Sequence, residues 1–268
     1  MRSTFTLLAA MALSACGSNP EAAAPDEPAP IAFDGSLANL ASAKLAQGNR
    51  LTWVLGCRGC HGKELLGHDF YGVPSANLTR EVHKLTDAQF IRALREGERT
   101  DKREMWAMPS EIFQHLGDPD MAALIAYLRT LKPGGEPTPP LPPFSADMRK
   151  QLTEGTIKPA AQWVRETKAK TPIDLGETHA QGRYITMVTC AECHGSQLEG
   201  VEKDTPNLIV AGAYTRAEFE TLLTKGIPNG PRKLDLMAAV AKGRFSRMTV
   251  AERDAVYAYL KARAERPQ

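Results

Sequence analysis

Aromatic side chains are scarce in this sequence: three Trp, six Tyr and eight Phe make up 6% of its 268 residues. Small domains built from it have little aromatic bulk of their own with which to fill a core. Net charge is nearly absent as well, with 33 basic against 31 acidic residues, so overall charge selects no partner. There is no strongly basic stripe interleaved with aromatics, which argues against nucleic acid. The apolar run near the N-terminus, Phe5 to Ala12, is too short to span a bilayer as a mature helix. Cysteine is limited to five residues, and their positions carry most of the information in the chain.

Four of the five form two runs, Cys57-Arg58-Gly59-Cys60-His61 and Cys190-Ala191-Glu192-Cys193-His194. In a Cys-x-x-Cys-His run the thiols sit about one helical turn apart, spaced to bond the two vinyl groups of a haem, while the adjacent imidazole becomes the proximal iron ligand. An isolated Cys-x-x-Cys also suits half of a zinc site or a dithiol redox motif. Here a His follows the second Cys both times, and each copy lies inside a longer similar stretch, so the pattern points to two covalently held haem c groups. Bound porphyrin would supply the apolar bulk that the sparse aromatics do not. With Cys57, Cys60, Cys190 and Cys193 committed to vinyl groups, only Cys16 remains, and no pair is left for a disulfide.

The start of the chain reads as a targeting segment, with Arg2 as a basic n-region and Phe5–Ala12 as the h-region. Leu13-Ser14-Ala15-Cys16-Gly17 resembles the lipobox of bacterial lipoproteins, which implies that Cys16 becomes the first mature residue and carries lipid. An ordinary secretory signal with an unrelated Cys is the alternative; both export the protein. The expected location is the periplasmic side of a bacterial membrane. Ala, Pro, Glu and Asp then dominate as far as about Pro30, the composition of a disordered tether.

The two motif-bearing halves repeat. Ala46-Gln47-Gly48 and Ala180-Gln181-Gly182 precede the motifs; Asn77-Leu78 and Asn207-Leu208 follow them. Thr86 and Thr215 open helical patterns that stop at Gly97 and Gly226, and each half closes on an amphipathic run ending in Ala-Tyr-Leu. Each half resembles a class I cytochrome c domain, and the pair resembles the membrane-anchored dihaem cytochromes c. The resemblance implies an all-α fold of two tandem domains. The expected organisation is a signal peptide over 1–15, a tether over 16–34, domains over 35–132 and 175–268, and between them a Pro-rich linker over 133–174. It also implies that a glycine on the first helix lets the last helix and its aromatic approach: Gly48 with Tyr127, and Gly182 with Tyr257 or Tyr259.

The same resemblance directs the search for the second axial ligand. The family's ligand is typically a Met-Pro on the loop before the last helix, which selects Met108-Pro109 over Met105, with Met121 on the apolar face of that helix. In the second half neither Met237 nor Met248 precedes a Pro. Met108 lies 19 residues before Tyr127, Met237 22 before Tyr259 and Met248 only 11, so spacing favours Met237 and leaves Met248 as a packing residue. The expected iron ligands are therefore His61 with Met108 and His194 with Met237. His68, His83, His115 and His179 are expected on the surface or in satisfied core positions. The carbonyl orienting each proximal His is expected from Pro206 in the second half and from Ala76, in place of the displaced Pro74, in the first. Lys242, Arg244 and Arg247, beside Met237, read as a docking ring or as propionate partners.

Two closed His/Met haems fit a carrier passing electrons between redox protein partners in the periplasm or at the membrane. The alternatives are a haem enzyme such as a dihaem peroxidase, which needs one exchangeable axial position, and the cytochrome subunit of a larger dehydrogenase.

Overall fold

Each half is organised by two helices that cross at a glycine. In the computed structural model, which describes residues 30–70, 72–201 and 204–266, the first half begins with α1 (Ala41–Val54). Gly56, at φ +83°, turns the chain into α2 (Cys57–Cys60), the first motif. A two-residue hairpin, β1 (Asp69–Phe70) with β2 (Val73–Pro74), precedes α3 (Leu78–Glu81). α4 (Asp87–Glu96) starts at a capping box of Thr86 with Gln89 and stops at left-handed Gly97, so both expected end signals act as such. α5 (Ser110–Phe113) follows Met108-Pro109, and α6 (Asp118–Leu128) returns across α1. The signal segment, Cys16 and the tether as far as residue 29 lie outside the described residues.

A Cβ on Gly48 would fall on the Ala123 carbonyl and 2.6 Å from Tyr127 Cβ, which is why α1 and α6 can touch only at a glycine. The second half repeats the device. α9 (Ala180–Thr189) leads into α10 (Ala191–His194), the second motif; α11 (Arg216–Lys225) and α12 (Asp235–Gly243) follow; and α13 (Val250–Ala264) crosses α9. Gly182 faces the Ala255 carbonyl and Tyr259 Cβ, which resolves the aromatic partner as Tyr259. Capping boxes Thr215/Glu218 and Thr249/Glu252 start α11 and α13.

Between the halves, residues 134–144 lie against the first half without regular structure: Asn77 Nδ2 donates to the carbonyls of Gly134 and Glu136, both at 2.8 Å, and Phe144 meets Trp106 edge to face at 5.1 Å. α7 (Ala146–Thr153) and α8 (Ala160–Thr167) follow, and α8 packs on α4 and α5, with Ala160 N donating to Met105 O at 2.8 Å. This composition-poor stretch has little to bury by itself and takes its form from the face it covers.

The halves share one buried core cluster. Tyr184 from α9 donates its hydroxyl to Asp120 on α6 and packs edge to face on Phe33 at 5.8 Å. Asp120 also accepts from the Phe33 amide and the Ser36 hydroxyl. Arg50 on α1 holds Glu252 on α13 through two bonds of 2.7 Å, with Glu252 fully buried. Removing the guanidinium leaves a buried carboxylate unpaired. Arg50→Met should lose about 2 kcal/mol of unfolding free energy, read by denaturant titration; unchanged stability would contradict a seam held by this pair.

Candidate functional site

Both motifs occupy the same local setting. In each, the first helix ends just before the first Cys, three residues ahead of Cys57 and one ahead of Cys190, a short helix begins at or next to that Cys, and the chain turns back so that the amide of Gly67 or Gly200 donates to the carbonyl of His61 or His194. Leu65 and Leu198, both fully buried, take matching positive φ of 60° and 62° within these turns.

The imidazoles are oriented identically. His61 Nδ1 lies 2.8 Å from the Ala76 carbonyl and His194 Nδ1 2.8 Å from the Pro206 carbonyl, the two acceptors expected from the sequence. Since a carbonyl only accepts, Nδ1 carries the proton and the Nε2 lone pair is free. Burial, partly offset by the carbonyl bond, pushes both imidazoles below their ordinary pKa, so each is neutral near pH 7. Sequence reasoning missed the hydroxyls next door. Ser75 Oγ donates to the Cys60 carbonyl at 2.6 Å and Thr205 Oγ1 to the Cys193 carbonyl at 2.5 Å. Their signal is visible in retrospect: Ser75-Ala76-Asn77-Leu78 and Thr205-Pro206-Asn207-Leu208 align as a hydroxyl residue, the His acceptor, Asn and Leu.

The thiol chemistry separates the readings. Burial pushes the thiols of Cys57, Cys60 and Cys190 up to about 11 and raises that of Cys193, the reverse of what a reactive dithiol needs. Among the described residues no group of three or more His, Cys, Asp or Glu is arranged to hold a metal ion.

His61 and His194 each line a cavity. In the first half about 740 Å³ is lined by Cys60, His61, Met105, Trp106, Met108 and the covering segment around Pro139, while Cys57 packs against the core behind it. In the second half about 360 Å³ is lined by Cys190, Cys193, His194, Phe245, Met237 and Met248 among others. Met248 sits immediately before Thr249, the N-cap of α13, as Leu116 sits immediately before Gly117, the N-cap of α6. The two are 4% and 1% exposed, whereas Met237, like Met108, is only partly buried. Met121 is in the core. None of His68, His83, His115 and His179 lines either cavity. Paired thiols one turn apart, a neutral imidazole and a thioether around an apolar hollow are a donor set that fits haem c.

The family comparison agrees. The sequence pattern described as Cytochrome c matches residues 45–132 and again 179–264. The chain belongs to the cytochrome c family. As such it carries two covalently bound haem c groups, one in each domain. It is also similar to the fructose dehydrogenase cytochrome subunit of Gluconobacter japonicus, with 30% identity over 195 residues, 64% of this chain. The match spans 37% of that relative's length.

Glu111, on α5 just beyond Met108-Pro109, is a strongly perturbed carboxyl. Its Oε2 is enclosed without a hydrogen-bond partner, and burial, reinforced by nearby Glu192, pushes its pKa from 4.5 up to about 7. The folded state thus keeps a proton that the unfolded chain releases above pH 4.5, so this contribution to stability is present at low pH and is lost as pH rises through 7. Stability should fall by about 2 kcal/mol between pH 5 and 8 from this group alone. Glu111→Gln should flatten that part of the profile, and an unchanged profile would contradict the assignment.

Proposed function

We propose that this cytochrome is an electron carrier in which His61 with Met108 and His194 with Met237 are the axial iron ligands and Cys57, Cys60, Cys190 and Cys193 the attachment residues. Haem bound there supplies a reversible one-electron couple at each site. The chain's own residues do the rest. The Ala76 and Pro206 carbonyls fix the imidazole tautomer and raise its basicity toward iron, the apolar walls exclude water, and the Met thioether in each cavity would hold the iron as a second ligand. The observation that carries this reading is the recurrence in both halves of a neutral, carbonyl-anchored His across a cavity from a Met.

We further propose that the electron donor is a dehydrogenase, with this chain as its cytochrome component, and that Cys16 lipid holds it at the periplasmic face of a bacterial membrane. Similarity to a dehydrogenase cytochrome subunit supports the first point, and the lipobox-like run the second. A peroxidase needs an exchangeable axial position; a Met in each cavity, with none of the four remaining histidines beside it, argues against one. Purification from native membranes tests the assignment. The protein is expected to come away with a dehydrogenase whose substrate reduces both haems. Isolation without such a partner, together with turnover of hydrogen peroxide by the purified protein, would overturn it.

A further inference from the structure

We propose that Arg244 is the charge bridge between the two haem-attachment motifs, a positioning residue that ties both motifs to one seam and raises the reduction potential of both haems. The inference rests on the dihaem carrier reading and goes beyond it, because Arg244 belongs to neither motif and to neither ligand set.

From the sequence, Arg244 reads as one of a basic trio that forms a docking ring or meets propionates. In the structure its side chain is only 14% exposed. It stands at the C-cap of α12 in the second half, yet its Nε donates to the Val54 carbonyl at the end of α1, 3.2 Å away. The guanidinium also lies over Gly56, the left-handed residue that turns α1 into the first motif: a Cβ there would meet its Cζ at 2.7 Å. On its other side Nη1 pairs at 2.7 Å with Glu192, the third residue of the second motif. Nη2 is enclosed with no hydrogen-bond partner, so the guanidinium's charge is only partly answered. That charge opposes the burial that raises the thiols of Cys57, Cys60, Cys190 and Cys193, and the side chain lines the second cavity together with Cys190 and Cys193. Both attachment motifs therefore flank one cation.

The consequence follows from charge counting. Oxidation of either haem adds one positive charge to a poorly solvated region, and a fixed cation beside it opposes that step. Arg244 therefore favours the ferrous state at both sites, and Glu192 offsets part of the effect. An electron crossing between the sites oxidises one iron and reduces the other, with no bond made or broken. The shared cation shifts both potentials in the same direction, so it raises the pair without opening a large gap between them.

Spectroelectrochemical titration of the haem-loaded full chain tests this. Arg244→Met should lower the reduction equilibrium at both haems by tenfold or more, about 59 mV for a one-electron couple. Arg244→Lys should keep both within threefold of the parent, and Glu192→Gln should raise both. Arg50→Met, which cuts the ion pair between α1 and α13 across the same seam, should leave both unchanged. Arg244→Met shifts confined to one haem, or absent, would overturn the proposal, as would equal shifts from Arg50→Met. If Arg244→Met fails to retain both haems, Glu192→Gln decides: upward shifts at both haems support the bridge and unmoved potentials overturn it. Unmoved potentials would leave the carrier reading standing. Carbon monoxide binding to the parent protein would sink the carrier reading while the Arg244 shift stayed measurable.

Discussion

Met237→Ala will bind carbon monoxide at one of its two reduced haems, and Met248→Ala will not. A thioether is a soft ligand that stabilises Fe(II), and Ala offers nothing in its place, so the vacated position admits an exogenous ligand. The same variant should lose one set of Met-to-iron charge-transfer absorption in the oxidised protein. Met248 also lines the second cavity, but it is 4% exposed and fills the core position ahead of the α13 N-cap. Truncating it should instead cost about 2–4 kcal/mol of stability through lost contacts and a residual cavity, with both haems still closed. Exchange of these phenotypes would move the ligand assignment to Met248.

Gly182→Val should be the most damaging single substitution outside the motifs. A Cβ there would overlap the Ala255 carbonyl and approach Tyr259 Cβ to 2.8 Å. The obstacle is backbone in a facing helix, so no rotamer change relieves it, and α9 would have to withdraw from α13. Overpacking of this kind usually costs 1–3 kcal/mol, and an immovable neighbour places this case at about 3 kcal/mol or more. Because α9 runs into the second motif, the variant should also hold its second haem poorly. Haem content by pyridine haemochrome assay and stability by denaturant titration read both effects. A stable Gly182→Val protein with two haems would show that the helices do not meet there. Gly48→Val should repeat the result in the first half, where the Ala123 carbonyl is the obstacle.

The parts of this molecule that could be read from the sequence are those whose physics is local or periodic. Thr86 and Thr215 cap helices because a hydroxyl three residues before a Gln or Glu completes a capping box wherever it occurs. Gly97 and Gly226 end them because the left-handed stop favours glycine. The Ala76 and Pro206 acceptors followed from the resemblance to class I cytochrome c domains, carried onto the residue before each Asn-Leu. What stayed hidden depends on partners far along the chain. Nothing in Pro137-Thr138-Pro139-Pro140 announces that this segment lines the first cavity, since its own residues form no regular element and first-half residues such as Asn77, Arg80 and Trp106 hold the covering stretch in place. The burial of Arg244 was equally invisible. A basic residue among basic neighbours looks solvated, and only the meeting of α12 with the end of α1 makes it a seam residue. Choosing Tyr259 over Tyr257 likewise needed the crossing of α9 and α13.

The central claim is that both irons are closed by protein ligands. The most direct test is the visible absorption spectrum of the fully reduced parent protein before and after carbon monoxide is added. The two-haem account predicts two Met-ligated haems and no spectral change at neutral pH. Formation of a carbon monoxide complex at either haem would contradict closure at that site and turn the reading from carrier to enzyme.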